Sequence, residues 1–159
     1  MLMANEMVKF ELPGVPAGGL RRVGQIRGTN TLTLRAGQNG MVVALELLSS
    51  HMHGAPVVNE RDEVMGFISE FDVLRALEAG KDLSLLTAED LMVHDRIVAT
   101  PETTIDKAVQ IMEEKRLLNL PVQKDGRVVY CVTRHDLLRG WIGLGTSGED
   151  QEDTSKPRM

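Results

Sequence analysis

The stretch "GFISEFDV", residues 66–73, closes a short apolar run with a serine, two spacers and an aspartate, and "YCVTRHDLL", residues 130–138, closes another with a threonine in the same pattern. Asp72 and Asp136 stand 64 positions apart. Working outward, Val73, Leu74 and Leu77 match Leu137, Leu138 and Trp141 at that distance. Upstream, Met41, Ala44, Leu45 and Leu48 have the spacing of one helical face, and Ile105, Ala108, Val109 and Met112 repeat it 64 positions later. Asn39 and Thr103 stand before these helices as N-cap residues, and Thr103-x-x-Asp106 has capping-box form. The chain reads as an internal duplication.

The expected register slips once and recovers. Pro56 and Pro121 lie 65 apart, which the spacing assigns to a turn "SSHMHG" one residue shorter than its partner, compensated by a longer "NERDE" against "KDGR". Each repeat then reads as strand, helix, strand, tight turn, strand, helix. The strands are "TLTLR", "PVV" and "VMGFI", then "RIVAT", "PVQ" and "RVVYCV". The expected fold is α+β, with two β-α-β-β-α repeats packed as a pseudo-twofold pair. The boundaries are an extended arm over 1–19, a first repeat over 20–80, a linker with a Thr87-x-x-Asp90 cap over 81–96, a second repeat over 97–143 and a disordered tail over 144–159.

The chain has 159 residues, 42% of them hydrophobic, enough for one substantial core or two small ones sharing a face. A net charge of −5 without any basic block argues against duplex nucleic acid and anionic membrane as partners. No apolar run has the length of a membrane span and the N-terminus lacks the form of a secretion signal, so a cytoplasmic location is expected. The single cysteine, Cys131, fits a reducing compartment and is expected in the core.

Two readings of Ser69-x-x-Asp72 and Thr133-x-x-Asp136 compete. In the first, each aspartate is an N-cap and nothing more. In the second, the helix start accommodates a phosphate and the carboxylate accepts hydrogen bonds from ribose hydroxyls. His51-x-His53 is weak evidence for a metal, no catalytic triad surrounds His135-Asp136, and no glycine-rich phosphate loop is present.

The β-α-β-β-α repeat, "AEDLMVHDRIVATPETTIDKAVQIM", the "LPV" strand and the closing Val-Thr-x-x-Asp resemble tandem cystathionine-β-synthase (CBS) domains paired as a Bateman module, over about residues 20–143. The resemblance implies a regulatory, non-enzymatic module without a required cofactor or metal. It would bind an adenine nucleotide (AMP, ADP or ATP) between the repeats and signal to a separate protein. Carried over by position, it implicates Ser69, Asp72, Thr100, Thr133 and Asp136, with backbone around Pro56-Val57 and Pro121-Val122. Each cleft would combine the Ser/Thr-x-x-Asp of one repeat with strands of the other. Arg134 is expected to favour phosphate beside Thr133, and Glu70 to disfavour it beside Ser69. Thr100 would serve the Ser69 cleft, with Ala36 as its counterpart in the other. The resemblance also implies a homodimer formed through the helices. An S-adenosylmethionine sensor and a ligand-free dimerisation or interaction module are the alternatives.

Overall fold

The computed structural model describes residues 21–28 and 30–143; the arm expected over 1–19 and the tail over 144–159 lie outside them. The first half contains β1 (Leu34–Arg35), α1 (Gly40–Ser50), β2 (Gly54–Val58), β3 (Val64–Ser69) and α2 (Glu70–Glu78). A short α3 (Ala88–Leu91) precedes α4 (Ile105–Lys115), β4 (Asn119–Lys124), β5 (Arg127–Thr133) and α5 (Arg134–Trp141). β1 runs parallel to β2, which pairs antiparallel with β3; β4 pairs antiparallel with β5. The strand expected over 96–100 is reduced to one parallel bridge between Ala99 and Val122. Pro101 has no N–H to extend a ladder, and the Thr100 N–H turns to Thr103 Oγ1 at 3.0 Å.

The pairing corrects the register. Leu34 lies opposite Val57 as Ala99 lies opposite Val122, and both pairs are 65 apart. The helix termini agree, since His51 and Arg116 are the left-handed C-caps of α1 and α4. The α4 N-cap is therefore Thr104, whose Oγ1 accepts from Lys107 N, and not Thr103. The lone length change falls in the hairpin turn, where the five residues Asn59–Glu63 between the paired Val58 and Val64 stand against the four residues Lys124–Arg127 between the paired Gln123 and Val128. A turn is where an extra residue disturbs no side-chain alternation.

The expected inner face of α1 is also overturned. Met41, Leu45 and Leu48 are 45%, 56% and 66% exposed, whereas Gly40, Val43 and Leu47 are buried. In α4 the buried residues are Ile105, Ala108 and Met112, which match the buried α1 set at a separation of 65. α1 is apolar on nearly every side, so spacing alone could not select the packed face. Gly40 belongs inside because a Cβ there would stand 2.6 Å from the Leu83 carbonyl oxygen.

Two cores form, and the chain crosses between them. Leu34, Val43, Leu47, Val57, Ile68 and Val73 pack with Ala88, Leu91 and Met92 of the segment expected to be a linker. Ala99, Ile105, Met112, Leu120, Val132 and Leu137 pack with Val23 and Ile26 from the start of the chain. The exchange is reciprocal in its backbone bonds: Val23 N donates to Thr103 O and Ile105 N to Arg21 O, while Gly40 N donates to Leu86 O and Ala88 N to Gln38 O. Each repeat's core is thus completed by a segment that precedes the other in sequence. Cys131 is 1% exposed, and burial pushes its thiol up to about 12.

Candidate functional site

Ser69 and Thr133 end their strands with extended backbone, φ −107° and −102°, and serve as the N-caps of α2 and α5. Asp72 and Asp136 are the third helical residues, not the caps themselves. Asp72 Oδ2 accepts from Ser69 N at 2.7 Å and from Ser69 Oγ at 3.0 Å; Asp136 Oδ2 accepts from Thr133 N at 2.8 Å. The hydroxyl and the carboxylate recur together because each satisfies the other's backbone donor, a capping box. Capping engages only one oxygen of each carboxylate. Asp72 Oδ1 has Arg75 Nη1 at 3.4 Å.

A cavity of about 550 Å³ opens beside Ser69 and Asp72, lined on the first repeat by Gly66, Phe67, Phe71 and Arg75 and on the other side by Val93, Ile97, Leu117, Leu118 and Pro121. Apolar walls dominate, and the charged groups Asp72, Arg75, Asp95, Lys115 and Arg116 are set among them. Its size suits a small organic ligand. Glu70 is absent from this lining; its Oε1 lies 2.9 Å from His53 Nδ1, so the expected repulsion of phosphate there does not arise. The cations at this cleft are Arg75, Lys115 and Arg116, which no motif in the sequence announced. Thr100 is exposed, tied to Thr103 and outside the lining. By strand pairing its counterpart is Arg35 rather than Ala36, and Arg35 is occupied by Asp62 at 2.8 Å and the Asn59 carbonyl at 2.6 Å.

The Thr133 side is built differently. A cavity of about 520 Å³ is lined by His51, Met52, His53, Leu118, Asn119, Thr133, Arg134, His135 and Leu138. Asp136, Pro56 and Val57 lie outside that lining. Val57 and Val122 are fully buried core residues. The position equivalent to Gly66 is Tyr130, whose ring lies against Gly28 and whose hydroxyl donates to Val23 O at 3.2 Å. A bulky ring therefore stands where the first cleft has only a glycine.

The CBS domain model matches residues 23–79 and 88–143. The chain belongs to the CBS domain family. This CBS pair is 27% identical over 119 residues to the uncharacterized protein MK0525 of Methanopyrus kandleri, covering 74% of this chain and 61% of that protein. It is 30% identical over 117 residues to the uncharacterized protein MJ1225 of Methanocaldococcus jannaschii, covering 74% of this chain and 41% of that one. The chain thus spans less than two thirds of the length of both. Among solved structures it superposes with a TM-score of 0.66 and 26% identity on the CBS domain pair of protein MJ0100 in complex with 5′-methylthioadenosine and S-adenosyl-L-methionine, covering 76% of this chain and 94% of that one. Among the described residues, no helix is long and apolar enough to cross a membrane and no group of three or more His, Cys, Asp and Glu could hold a metal ion.

Proposed function

We propose that this CBS pair is a ligand-sensing regulatory module, not an enzyme, that binds an adenine nucleotide in the Ser69–Asp72 cleft and signals to a separate protein. The observation that carries the reading is the composition of that cleft: an apolar slot between the repeats with one Asp72 oxygen left outside the capping box, a second carboxylate at Asp95 and three cations at its margins. Val93 and Ile97 offer surface for an adenine, and Asp72 Oδ1 can accept from ribose hydroxyls by exchanging its weak contact with Arg75. Arg75, Lys115 and Arg116 then supply charge-assisted donors for phosphate. The pair of MJ0100, similar in sequence and fold, is described with two adenosine-containing ligands, which supports the class of ligand. The cations favour AMP, ADP or ATP over S-adenosylmethionine, which carries a positive sulfonium on the ribose 5′ carbon where the nucleotides carry phosphate.

Parallel calorimetric titrations with AMP, ATP and S-adenosylmethionine test the reading. Nucleotide binding that Asp72→Asn weakens and Asp136→Asn leaves intact is the expected result. Absence of heat with all three ligands would sink it and leave the capping boxes as architecture.

The module is further proposed to work as a homodimer joined through its helices. Met41, Val42, Leu45 and Leu48 on α1, Leu74 and Leu77 on α2, and Leu138, Trp141 and Ile142 at α5 are between 42% and 66% exposed, more apolar surface than scattered exposed residues produce. Equilibrium sedimentation decides it, a monomer at micromolar concentration being the contrary result.

A further inference from the structure

A cavity of about 590 Å³ runs between α4 and α5 and shares only Arg116, Leu117 and Leu118 with the Ser69 cleft. Val109, Met112, Leu137, Leu138 and Trp141 make the rest of it an apolar groove, in which Leu138 is 61% and Trp141 50% exposed. The two helices run antiparallel, since a Cβ on Gly140 near the end of α5 would stand 3.3 Å from Cδ1 of Ile105, the first residue of α4. Val109 and Trp141 therefore mark one end of the groove, and Arg116 and Arg134 the other.

Two features narrow the choice of occupant. The outward residues of α4, Asp106, Lys107, Gln110, Glu113 and Glu114, are exposed and polar, so a broad apolar face laid across both helices would strip them of water at a cost. An occupant narrow enough to lie between the helices leaves them wet. The second feature is where the chain enters. The carbonyl of Arg21 accepts from Ile105 N at 2.9 Å, one helical turn from Val109, so residues 1–20 are delivered to the Val109–Trp141 end.

Those residues contain a segment of the required form. In "MVKFELP", residues 7–13, Val8, Phe10 and Leu12 alternate with Met7, Lys9 and Glu11, the period of an extended chain with one apolar face. Pro13 biases Leu12 toward extended backbone. Val8 to Leu12 covers about 13 Å when extended, close to the roughly 10 Å from Val109 to Arg116 along α4. The spacer over 13–20 can reach about 26 Å, more than the turn of helix it has to cross.

We propose that residues 7–12 dock as an extended strap in the α4–α5 groove of their own chain, with Val8, Phe10 and Leu12 turned inward. Leu12 lies beside Trp141 and Val8 beside Arg116 and Arg134. Glu6 then meets two guanidinium groups, which sets the direction of the strap. α1 and α2 keep their apolar faces for the proposed homodimer, and Leu138 and Trp141 are covered from within the chain instead.

Trp141 is the chain's single tryptophan, so its fluorescence reports on the groove alone. Acrylamide quenching of the full chain is expected to be about threefold weaker than that of Phe10→Asp, and unchanged over a hundredfold dilution. Val8→Asp should act in the same direction, and both positions lie outside the two cores, so the variants fold. Equal quenching in wild type and both variants overturns the strap, and protection lost on dilution gives the groove to a second copy and overturns it too. Cys131 is 1% exposed, so a nitroxide can be placed on Ala4→Cys alone. It should broaden the amides of Arg116–Leu118 and Arg134 more than those of Ile105–Val109, and the reverse pattern overturns the direction. Spin-labelled chains mixed with isotope-labelled wild type should leave those amides sharp; broadening there places the strap on a partner subunit and overturns docking within one chain. Failure of the homodimer reading would appear as a monomer in sedimentation and leave the quenching contrast intact.

Discussion

The two repeats share a core and differ in what they place around it. Gly40, Val43 and Leu47 of α1 occupy the same inward positions as Ile105, Ala108 and Met112 of α4. Turned outward, the same two helices diverge: Met41, Val42, Leu45 and Leu48 face Asp106, Lys107, Gln110 and Glu113 in the alignment at 65. The strand contacts exchange volume as well, with Gly66 against Met92 and Val93 in one repeat and Tyr130 against Gly28 in the other. Duplication preserved the packing that folds each half, and divergence was free to act on exposed faces and cleft walls. One half thereby acquired an open slot and an apolar outer helix, and the other a filled slot and a charged one.

The volume exchange can be broken most severely. A Cβ on Gly66 would lie 2.3 Å from the Val93 carbonyl oxygen, and one on Gly28 would lie 2.4 Å from the Tyr130 ring. Gly66→Ala and Gly28→Ala are each expected to lower stability in urea by about 1–3 kcal/mol or more, the cost of overpacking. The pair differ in remedy. The obstacle at Gly28 is a side chain, so Gly28→Ala combined with Tyr130→Ala should lose less than the sum of the single changes. The nearest obstacle at Gly66 is backbone, and Met92→Ala should not relieve it. Equal non-additivity in both pairs would refute the distinction.

The outer faces come next in size. If α1 and not α4 forms the dimer contact, Leu45→Glu should weaken dimerisation more than tenfold, over about 1.4 kcal/mol. Gln110→Glu, at the equivalent exposed position of α4, should leave it unaltered. Sedimentation of both variants reads the difference, and a dimer indifferent to Leu45 would move the contact off α1.

The capping aspartates separate architecture from binding. Asp72→Ala and Asp136→Ala should each cost about 0.5–2 kcal/mol of stability, since both complete a capping box. Their effect on nucleotide affinity should be unequal, about 1–3 kcal/mol for Asp72 and none for Asp136. Unequal stabilities with equal affinities would reverse the assignment.

Much of this was legible in the sequence. The repeated Ser/Thr-x-x-Asp and the two prolines revealed the duplication, the strands of both hairpins and the family. The register was misread because α1 is apolar on both sides: its outer residues match Ile105, Ala108, Val109 and Met112 at 64 as convincingly as its inner ones match at 65. The Asp residues could be located but not given their role, since an N-cap and the third helical residue differ only in where the helix begins. Arg75, Lys115 and Arg116 escaped notice because they meet only when two repeats pack, and surface cations at helix ends carry no motif. The orphaned oxygen of Asn119 is likewise invisible without the fold, and so is the crossing of residues 22–26 and 87–92 between cores.

Those two crossing segments provide the smallest and sharpest comparison. Thr87 and Arg22 are equivalent, each bridging to the N-cap of the first helix in its adopted repeat, Asn39 and Thr104. Behind Thr87, Asp90 Oδ2 accepts from Thr87 N at 2.9 Å; behind Arg22, Gln25 Oε1 accepts from Arg22 N at 2.9 Å. One cap is a carboxylate and the other a neutral amide. The hydrogen bonds from the Thr87 backbone and hydroxyl hold the Asp90 carboxyl below its ordinary value. A depressed folded-state pKa contributes stability that is present above the unfolded value, near 3.9, and is lost as pH falls through the folded one. Acid should therefore loosen residues 87–92 in the first repeat before it touches residues 22–26 in the second. Amide exchange followed from pH 5 down to pH 3 should show Leu91 and Met92 losing protection relative to Ile26, by a small factor because the cap is exposed. Asp90→Asn, which gives this cap the chemistry of the Gln25 cap, should abolish the difference. If both segments loosen together in the variant and in the wild type alike, acid acts through the repeats as wholes, and the two crossings are alike after all.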